Sequence, residues 1–203
     1  MILLLAVGLS IALAIARGGR LSRLGEVSFR LGWLALLAFA LQLVIIYAPL
    51  PQNPGWQSPR VWLLLGSYVL LIAVVVANRK LPGFWLVALG LGLNLLAMLA
   101  NGGYMPVTAE ALQRAGLAQL ALGAEPGARV VNSKDVLVAR EWARLWILGD
   151  VLAIRWPLKT VFSIGDVFLA GGALIFFQRT MCPSSSDKNG EERIVIDSSQ
   201  RSN

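Results

Sequence analysis

The stretch FWLVALGLGLNLLAMLA, residues 84–100, decides the fold because it is apolar and uncharged along its whole length. The hydrocarbon core of a bilayer is about 30 Å thick, and a helix crosses it with about 20 apolar residues at a rise of about 1.5 Å each. Four further apolar stretches occupy residues 1–16, 31–50, 61–77 and 163–178. The sequence therefore predicts an all-α, polytopic membrane protein with about five transmembrane helices.

The overall composition indicates a chain that needs lipid around it. Hydrophobic residues make up 57% and charged residues 14% of the 203 residues, whereas soluble domains average about a quarter charged residues. The net charge of +7 would indicate nucleic acid in a soluble chain. Here most Lys and Arg residues lie in short loops between apolar stretches, so topology explains them better and we expect no nucleic-acid partner.

Two residue types that carry much protein chemistry are scarce. The chain has one cysteine, Cys182, and no histidine. An internal disulfide is therefore excluded, and zinc and iron–sulfur sites, which need several correctly spaced ligands, are not indicated. The usual general base near neutral pH is also missing. We expect neither a metal nor a cofactor, and we predict that the polar residues 183–203, which lack aromatic side chains, are disordered.

The placement of charge predicts the orientation. The first apolar stretch ends in Ala14-Ile15-Ala16, which resembles a signal-peptide cleavage site, but its arginines follow the stretch instead of preceding it, so we expect a retained helix. With the N-terminus outside, the short inner segments hold seven basic residues: Arg17, Arg20, Arg23, Arg30, Arg79, Lys80 and Arg179. The short outer loop then holds Arg60. Positive charge gathers on the inner side of a membrane protein, so we predict an outer N-terminus and an inner C-terminus.

Residues 101–162 break the apolar pattern, since no window there stays uncharged long enough to cross a bilayer. We predict an extramembrane helical insertion between the fourth and fifth spans. Thr108 and Gly116 bound a short helix in it, as N-cap and stop. Over residues 135–148, apolar and charged side chains fall on opposite sides at helical spacing. This pattern predicts an amphipathic helix that lies on the bilayer or packs against the other helices.

Three places are candidates for binding, and none matches a catalytic motif. The first is the segment Asn101, Gly102, Gly103 and Tyr104 at the end of the fourth span. Paired glycines permit backbone angles closed to other residues, and exposed amides there could bind an anion or a lipid headgroup. The structural alternative is a helix stop followed by an interfacial tyrosine.

The second place is a group of charges in the predicted amphipathic helix and just after it: Arg140, Glu141, Arg144, Asp150 and Arg155. Glu141 and Arg144 are three residues apart, which on a helix makes them neighbours. The group is either a solvated helix face or a site for a headgroup or a partner, in which arginine gives bidentate contacts to phosphate or carboxylate.

The third place is Asp166, at the start of the fifth span. A carboxylate that enters a membrane is costly and is therefore a functional candidate. Together with Asp150 it could share a proton. The spacing from Ser163 to Asp166 also matches a capping box, which would explain the carboxylate without any binding role.

Four motifs follow one another along the chain: RGGRLSRLG at residues 17–25, ANGGYMPV at 100–107, RLWILGD at 144–150 and VFSIGDV at 161–167. In this order around a helical membrane core, they resemble a bacterial membrane family described as domain of unknown function 5317. The resemblance covers roughly residues 1–180. It implies a multi-spanning bacterial protein and supplies no activity, cofactor or catalytic residue.

The sequence leaves three functions open. The leading hypothesis is a non-enzymatic membrane protein, either a structural or regulatory subunit or a binding module, with membrane lipids and other membrane subunits as partners. The first alternative is a transporter of small solutes or lipids, although the spans hold few polar residues and no repeat: Gln42, Ser67 and Asn94. The second alternative is a lipid-modifying enzyme that uses Arg144, Asp150 and Asp166.

Overall fold

The computed structural model describes residues 2–47, 55–123, 125–130, 133 and 135–182, and this part of the chain is mostly helical. Its α-helices are α1 Ile2–Ala16, α2 Gly32–Tyr47, α3 Pro59–Ala77, α4 Phe84–Ala100, α5 Ala109–Arg114 and α6 Ile164–Met181. A helix thus lies in each of the five apolar stretches. Residues 48–50 of the second predicted span and the predicted disordered tail, residues 183–203, lie outside the described part.

By length and composition, fewer helices qualify as membrane spans than the five that the sequence predicts. Among the described residues, one helix, Pro59–Ala77, is long and apolar enough to cross a membrane. Three shorter apolar helices are Leu3–Ala16, Gly32–Tyr47 and Phe84–Ala100. That the five helices cross a bilayer therefore stays a prediction.

The five long helices form a row in the order α1, α6, α4, α3, α2, in which each packs on the next. Glycines bring α4 and α6 into backbone contact. A Cβ atom built on Gly90 would lie 2.5 Å from the carbonyl oxygen of Gly165, and one built on Gly172 would lie 2.8 Å from that of Gly83. The two helices are antiparallel, because Gly90 lies after Gly83 in the chain while its partner Gly165 lies before Gly172, the partner of Gly83. A larger residue at these positions would force the helices apart.

One end of the row, here called the basic end, joins residues 17–30 to the turn after α3 and to the end of α6. The backbone amide of Arg20 donates to the carbonyl oxygen of Met181 at 3.1 Å. The ring of Phe84 packs edge-on against Phe29 and Phe176, with centroids 5.9 and 5.7 Å apart. Seven basic residues lie in these segments: Arg17, Arg20, Arg23, Arg30, Arg79, Lys80 and Arg179.

The insertion, residues 101–162, is not purely helical, so the all-α prediction is wrong for this part. Its strands are β1 Met105–Val107, β2 Asp135–Leu137, β3 Leu152–Ile154 and β4 Thr160–Phe162. Strands β1 and β2 pair in parallel, and β3 and β4 pair antiparallel. The short helix α5 is confirmed: the Thr108 hydroxyl accepts from the amide of Ala111 at 3.2 Å, and Gly116 follows the helix with a φ of +74°.

The amphipathic helix predicted over residues 135–148 is wrong. Strand β2 occupies its start, turns follow, and a short 3₁₀ helix, Trp146–Leu148, lies at its end. Val136 aligns with Pro106 across the β1–β2 pair, and sheet pairing with a distant segment overrides the helical spacing. Leu145 has a φ of +50°, which no continuous helix tolerates. Trp142, one of the apolar side chains of that pattern, is 74% exposed.

Candidate functional site

The insertion covers the end of the helix row opposite the basic end, here called the capped end, and borders a partly open cavity of about 350 Å³ there. We name it the cap cavity. Its walls come from the end of α2, the start of α3 and two parts of the insertion, the first of which directly follows α4. They include Ile45, Ser58, Arg60, Val61, Gly103 and Arg129. The volume lies near the lower limit for small-molecule sites, which span about 300–1,000 Å³.

Two arginines in the cavity wall bind the same backbone oxygen. The guanidinium of Arg60, from α3, donates to the carbonyl oxygen of Ile45 near the end of α2. Arg129, from the insertion, donates to the same oxygen at 3.0 Å and through its Nε to the carbonyl oxygen of Ser133 at 2.7 Å. The last carbonyls of a helix have no partner within the helix and carry its negative pole. The two guanidiniums therefore bind the last described turn of α2 and join the insertion to the helices.

The charges at the cavity are partly buried and close together. Arg60 is 7% exposed. Burial, followed by repulsion from Arg60, lowers the pKa of Arg129, while the carboxylate of Asp135 acts in the opposite direction. Asp135 is itself buried and accepts from the hydroxyl of Ser133 at 2.5 Å. Two guanidiniums thus repel each other beside one carboxylate, an arrangement that an anion would stabilise.

Ser58 contributes a buried hydroxyl to the same wall. It holds the N-cap position of α3 but makes no side-chain capping hydrogen bond, and it is 1% exposed. Within the described residues its Oγ has no hydrogen-bond partner. A buried polar group without a partner costs about 1–3 kcal/mol. Such a group usually bonds to water or a ligand, and the N-terminus of a helix favours negative charge.

The predicted binding segment after α4 forms part of this cavity. Asn101, Gly103 and Tyr104 line it. Gly102 and Gly103 have φ angles of +72° and +92°, as paired glycines at a helix end permit. A Cβ atom on Gly103 would lie 2.2 Å from Cγ1 of Val61, so the segment packs directly on α3.

Asn101, in the first predicted binding segment, bonds to the backbone of Arg144, which belongs to the second predicted group of charges. Its side-chain amide donates to the carbonyl oxygens of Ala97 and Arg144, both at 2.7 Å, and its Oδ1 accepts from the amide of Arg144 at 2.9 Å. Arg144 is therefore held through its backbone and has an exposed side chain. Asn101 closes the last turn of α4 and fixes the insertion to it.

Two other charges of the second predicted site, Arg140 and Asp150, have different surroundings. Arg140 lies over the ring of Trp146, with its guanidinium carbon 4.0 Å from the ring centroid. Asp150 is buried, and its backbone amide donates to the carbonyl oxygen of Pro106 at 3.0 Å. Glu141 and Arg144 lie in turns, so the proposed pair on a helix face is wrong.

Asp166 lies between α4 and α6. Its backbone amide binds the hydroxyl of Ser163 at 3.0 Å, and its carboxylate accepts from the amide of Ser163 at 3.2 Å, which confirms the capping box. The other carboxylate oxygen accepts from the side chain of Asn94 at 3.0 Å, and Ser163 donates to Asn94 at 2.7 Å. Asp166 thus belongs to a buried polar network, and the described lining of the cap cavity includes neither it nor Asp150.

Sequence reasoning missed three residues of the site: Ser58, Arg60 and Arg129. Arg60 had a usable signal, because an ionisable residue at the edge of a predicted span is a functional candidate. Ser58 and Arg129 belong to no motif. In the part of the chain that the structure describes, no three Asp, Glu or Cys side chains are grouped closely enough to hold a metal ion.

Comparison with known proteins identifies a family and no activity. An uncharacterized protein of Thermotoga maritima is 31% identical over 118 residues, which make up 55% of this chain and 60% of that protein. This chain thus spans less than two thirds of that relative's length. No solved structure matches the chain. A model of the family of unknown function DUF5317 matches residues 26–178, which is more than half of the chain and confirms the resemblance. The protein therefore belongs to the family of unknown function DUF5317.

Proposed function

We propose that this chain is a non-enzymatic binding module of the bacterial cytoplasmic membrane. In this proposal α1, α2, α3, α4 and α6 cross the bilayer, and the insertion covers their outer end and encloses a ligand site. The observation that carries the proposal is the cap cavity, which lies where the insertion meets the ends of the helices.

The exposed surface of the helix row supports a membrane location. Large apolar side chains stand exposed along it, among them Leu9 at 71%, Leu36 at 72% and Val69 at 64%. Soluble monomers rarely expose continuous apolar patches of more than a few hundred Å². Lipid would cover these faces. Helices of 15 to 19 residues are about 22–28 Å long, and modest thinning of the bilayer accommodates them.

The position of the basic residues supports the orientation. Seven lie at the basic end, and the insertion lies at the other end. The positive-inside tendency then assigns the basic end to the cytoplasm and the insertion to the outside.

The chemistry of the cap cavity supports binding over catalysis. Guanidinium groups stay protonated at physiological pH and donate hydrogen bonds without exchanging protons. A serine needs an adjacent base to become a nucleophile. Among the described residues that line the cavity there is no Asp, Glu, Lys or Cys.

A structural or regulatory subunit is the second candidate. The exposed apolar faces of the row, which lipid would cover, also fit the helices of another membrane protein. A protein partner at a fixed ratio after extraction in mild detergent would favour this role.

Thiol labelling tests the membrane arrangement. Cys182 is replaced by serine, and a single cysteine is placed at Leu122, an exposed residue of the insertion, or at Arg79 of the basic end. In spheroplasts, a membrane-impermeant maleimide should label Leu122→Cys readily and Arg79→Cys only after lysis. The reverse pattern, or recovery of the protein from the soluble fraction, would overturn the proposal.

Filling the cavity tests the binding role. Val138, which lines the cap cavity, is changed to Trp, and Leu122→Trp in the exposed part of the insertion serves as the matched control. Small molecules released by denaturing the purified protein are measured by mass spectrometry. The wild type and the control should release a molecule at about one per chain, and Val138→Trp should not. Equal release from all three proteins would contradict a ligand site here.

A further inference from the structure

We propose that the cap cavity binds an amphiphile with an anionic carboxylate or phosphate head, which Arg60, Arg129 and the hydroxyl of Ser58 hold. This inference rests on the proposed function, since it assigns a chemical class to the ligand of that site.

The two arginines supply the charge for an anionic head. Both guanidiniums donate to the carbonyl oxygen of Ile45, so their positive charges are held close together in the same wall. Asp135 is the carboxylate that acts on Arg129. Among these three described groups, two cations and one anion leave one net positive charge, which one negative charge on the ligand would balance. Arginine matches the planar geometry of carboxylate and phosphate oxygens.

Ser58 indicates a ligand independently of the arginines. Its buried hydroxyl lines the cavity and has no partner among the described residues. It also stands at the N-terminus of α3, a helix of 19 residues whose positive pole favours an anion. One oxygen of an anionic head would give this hydroxyl its missing hydrogen bond and screen the repulsion between the arginines.

The rest of the lining fits an apolar tail. Ile45, Val61, Leu64, Val136 and Trp142 supply apolar side chains around the polar groups. In the proposed topology, the cavity lies at the outer surface of the bilayer. A head and tail of opposite character therefore match the two parts of the wall. A membrane phospholipid and a free fatty acid or alkyl phosphate share this chemistry.

The test compares probes that differ in one property each. The full chain in phosphatidylcholine nanodiscs is titrated with decanoate, decyl phosphate, decanol and inorganic phosphate, and binding is followed by tryptophan fluorescence. Decanoate and decyl phosphate should bind at least about tenfold more tightly than decanol, because charged hydrogen bonds contribute the difference. Inorganic phosphate should bind more weakly than decyl phosphate. Equal binding of decanol and decanoate, or of phosphate and decyl phosphate, would overturn the inference.

Variants assign the contacts. Ser58→Ala removes a hydroxyl that makes no capping bond, so the unliganded protein should unfold at the same or a higher temperature, while affinity for decanoate falls about fivefold. Arg129→Gln should weaken binding about 30-fold. Arg114→Gln, in the insertion but outside the cavity lining, is the matched control and should bind as the wild type does. Unchanged affinity in Ser58→Ala would contradict the inference.

A second arm separates the two sources of the head. Protein ejected from nanodiscs with phosphatidylglycerol is examined by native mass spectrometry. Retained phosphatidylglycerol that Arg129→Gln loses would identify a membrane lipid, and binding of decanoate without lipid retention would identify a free amphiphile. Both results support the anionic head. If the molecule that Val138→Trp loses is neutral, the anionic head is wrong while the binding module stands; if no molecule depends on the cavity, both fail.

Discussion

At each end of the helix row, an asparagine side chain bonds a helix end to a distant backbone segment. The two ends differ in whether their arginines are exposed or buried. At the basic end Asn78 follows α3, and its side chain donates to the carbonyl oxygens of Val74 and Arg30 and accepts from the amide of Arg30. At the capped end Asn101 makes the same three bonds, to Ala97 and to the backbone of Arg144. Each asparagine thus closes a helix and holds a distant backbone segment.

The cations make the difference between the ends. Most basic residues of the basic end are exposed, and the proposed topology accounts for their position. Arg60, which the sequence places in the predicted outer loop and the structure places in the first turn of α3, is buried and bonded to the end of α2. A count of charges in the sequence predicts an orientation, whereas burial in the structure separates the exposed arginines of the basic end from Arg60, which lines the cap cavity.

The largest expected effect comes from removing the buried arginine. Arg60→Ala takes away a charged hydrogen bond to the carbonyl of Ile45 and leaves a void in the cavity wall, so we expect a loss of about 3 kcal/mol in the free energy of unfolding. Arg79→Ala, at the exposed end, should change it by less than about 0.5 kcal/mol. Denaturant unfolding in detergent measures both. Similar losses would mean that the two ends do not differ as described.

Two glycines with positive φ angles sharpen the comparison. Gly103 has a φ of +92°, and a Cβ atom there would lie 2.2 Å from Val61, whereas Gly18 has a φ of +82° and open space around it. Gly18→Ala should therefore cost about 1 kcal/mol of stability through its backbone alone. Gly103→Ala adds a clash and should cost about 2–3 kcal/mol. Equal costs in unfolding experiments would show that the segment after α4 is not packed on α3.

Much of the fold was predictable because its signals are local. The uncharged stretch 84–100 gives α4 directly, and the caps at Thr108 and Ser163 involve partners three residues away. The strand at 135–137 was missed because it pairs with residues 105–107, about thirty positions earlier. Helical spacing in the sequence carries no information on such a partner.

The site was predictable only in part. The segment from Asn101 to Tyr104 was selected for its glycines, and three of its residues, Asn101, Gly103 and Tyr104, line the cavity. Its Asn101 side chain bonds a helix end to a distant backbone segment, as that of Asn78 does at the basic end. Arg60 and Arg129 bind the same carbonyl oxygen of Ile45, although they lie 15 and 84 positions after Ile45 in the chain. No local pattern marks such a meeting, because packing of the insertion on the helices creates it.

The next prediction concerns Asn78 and Asn101, whose side chains bond helix ends to distant backbone segments. Asn78 is buried, so Asn78→Ala takes away the partner that its side chain gives to the backbone amide and carbonyl of Arg30, and it should cost about 2 kcal/mol of stability. The carbonyl of Val74 keeps the bond from the backbone amide of residue 78. The bonds from Asn101 to Arg144 are exposed, and water replaces them in Asn101→Ala, which should cost about 1 kcal/mol. Thermal unfolding of both variants checks the order. A larger loss in Asn101→Ala would mean that the insertion is held more firmly than the basic end.

The smallest expected effect concerns the insertion itself and titrates with acid. A hydrogen bond from its own backbone amide, followed by the hydroxyl of Thr108, lowers the pKa of Glu110 from the ordinary 4.5. A lowered carboxyl pKa stabilises the folded state above the ordinary value, and this contribution is lost as pH falls through the lowered pKa. Thr108→Ala removes both the cap of α5 and part of that shift, so it should cost about 1 kcal/mol at neutral pH and less in acid. The gap between the unfolding midpoints of wild type and Thr108→Ala should therefore narrow as pH falls below 4.5 and stay open, because the bond from the Ala111 amide to the Thr108 hydroxyl does not titrate. A gap of constant size would show that Glu110 and the cap are not coupled.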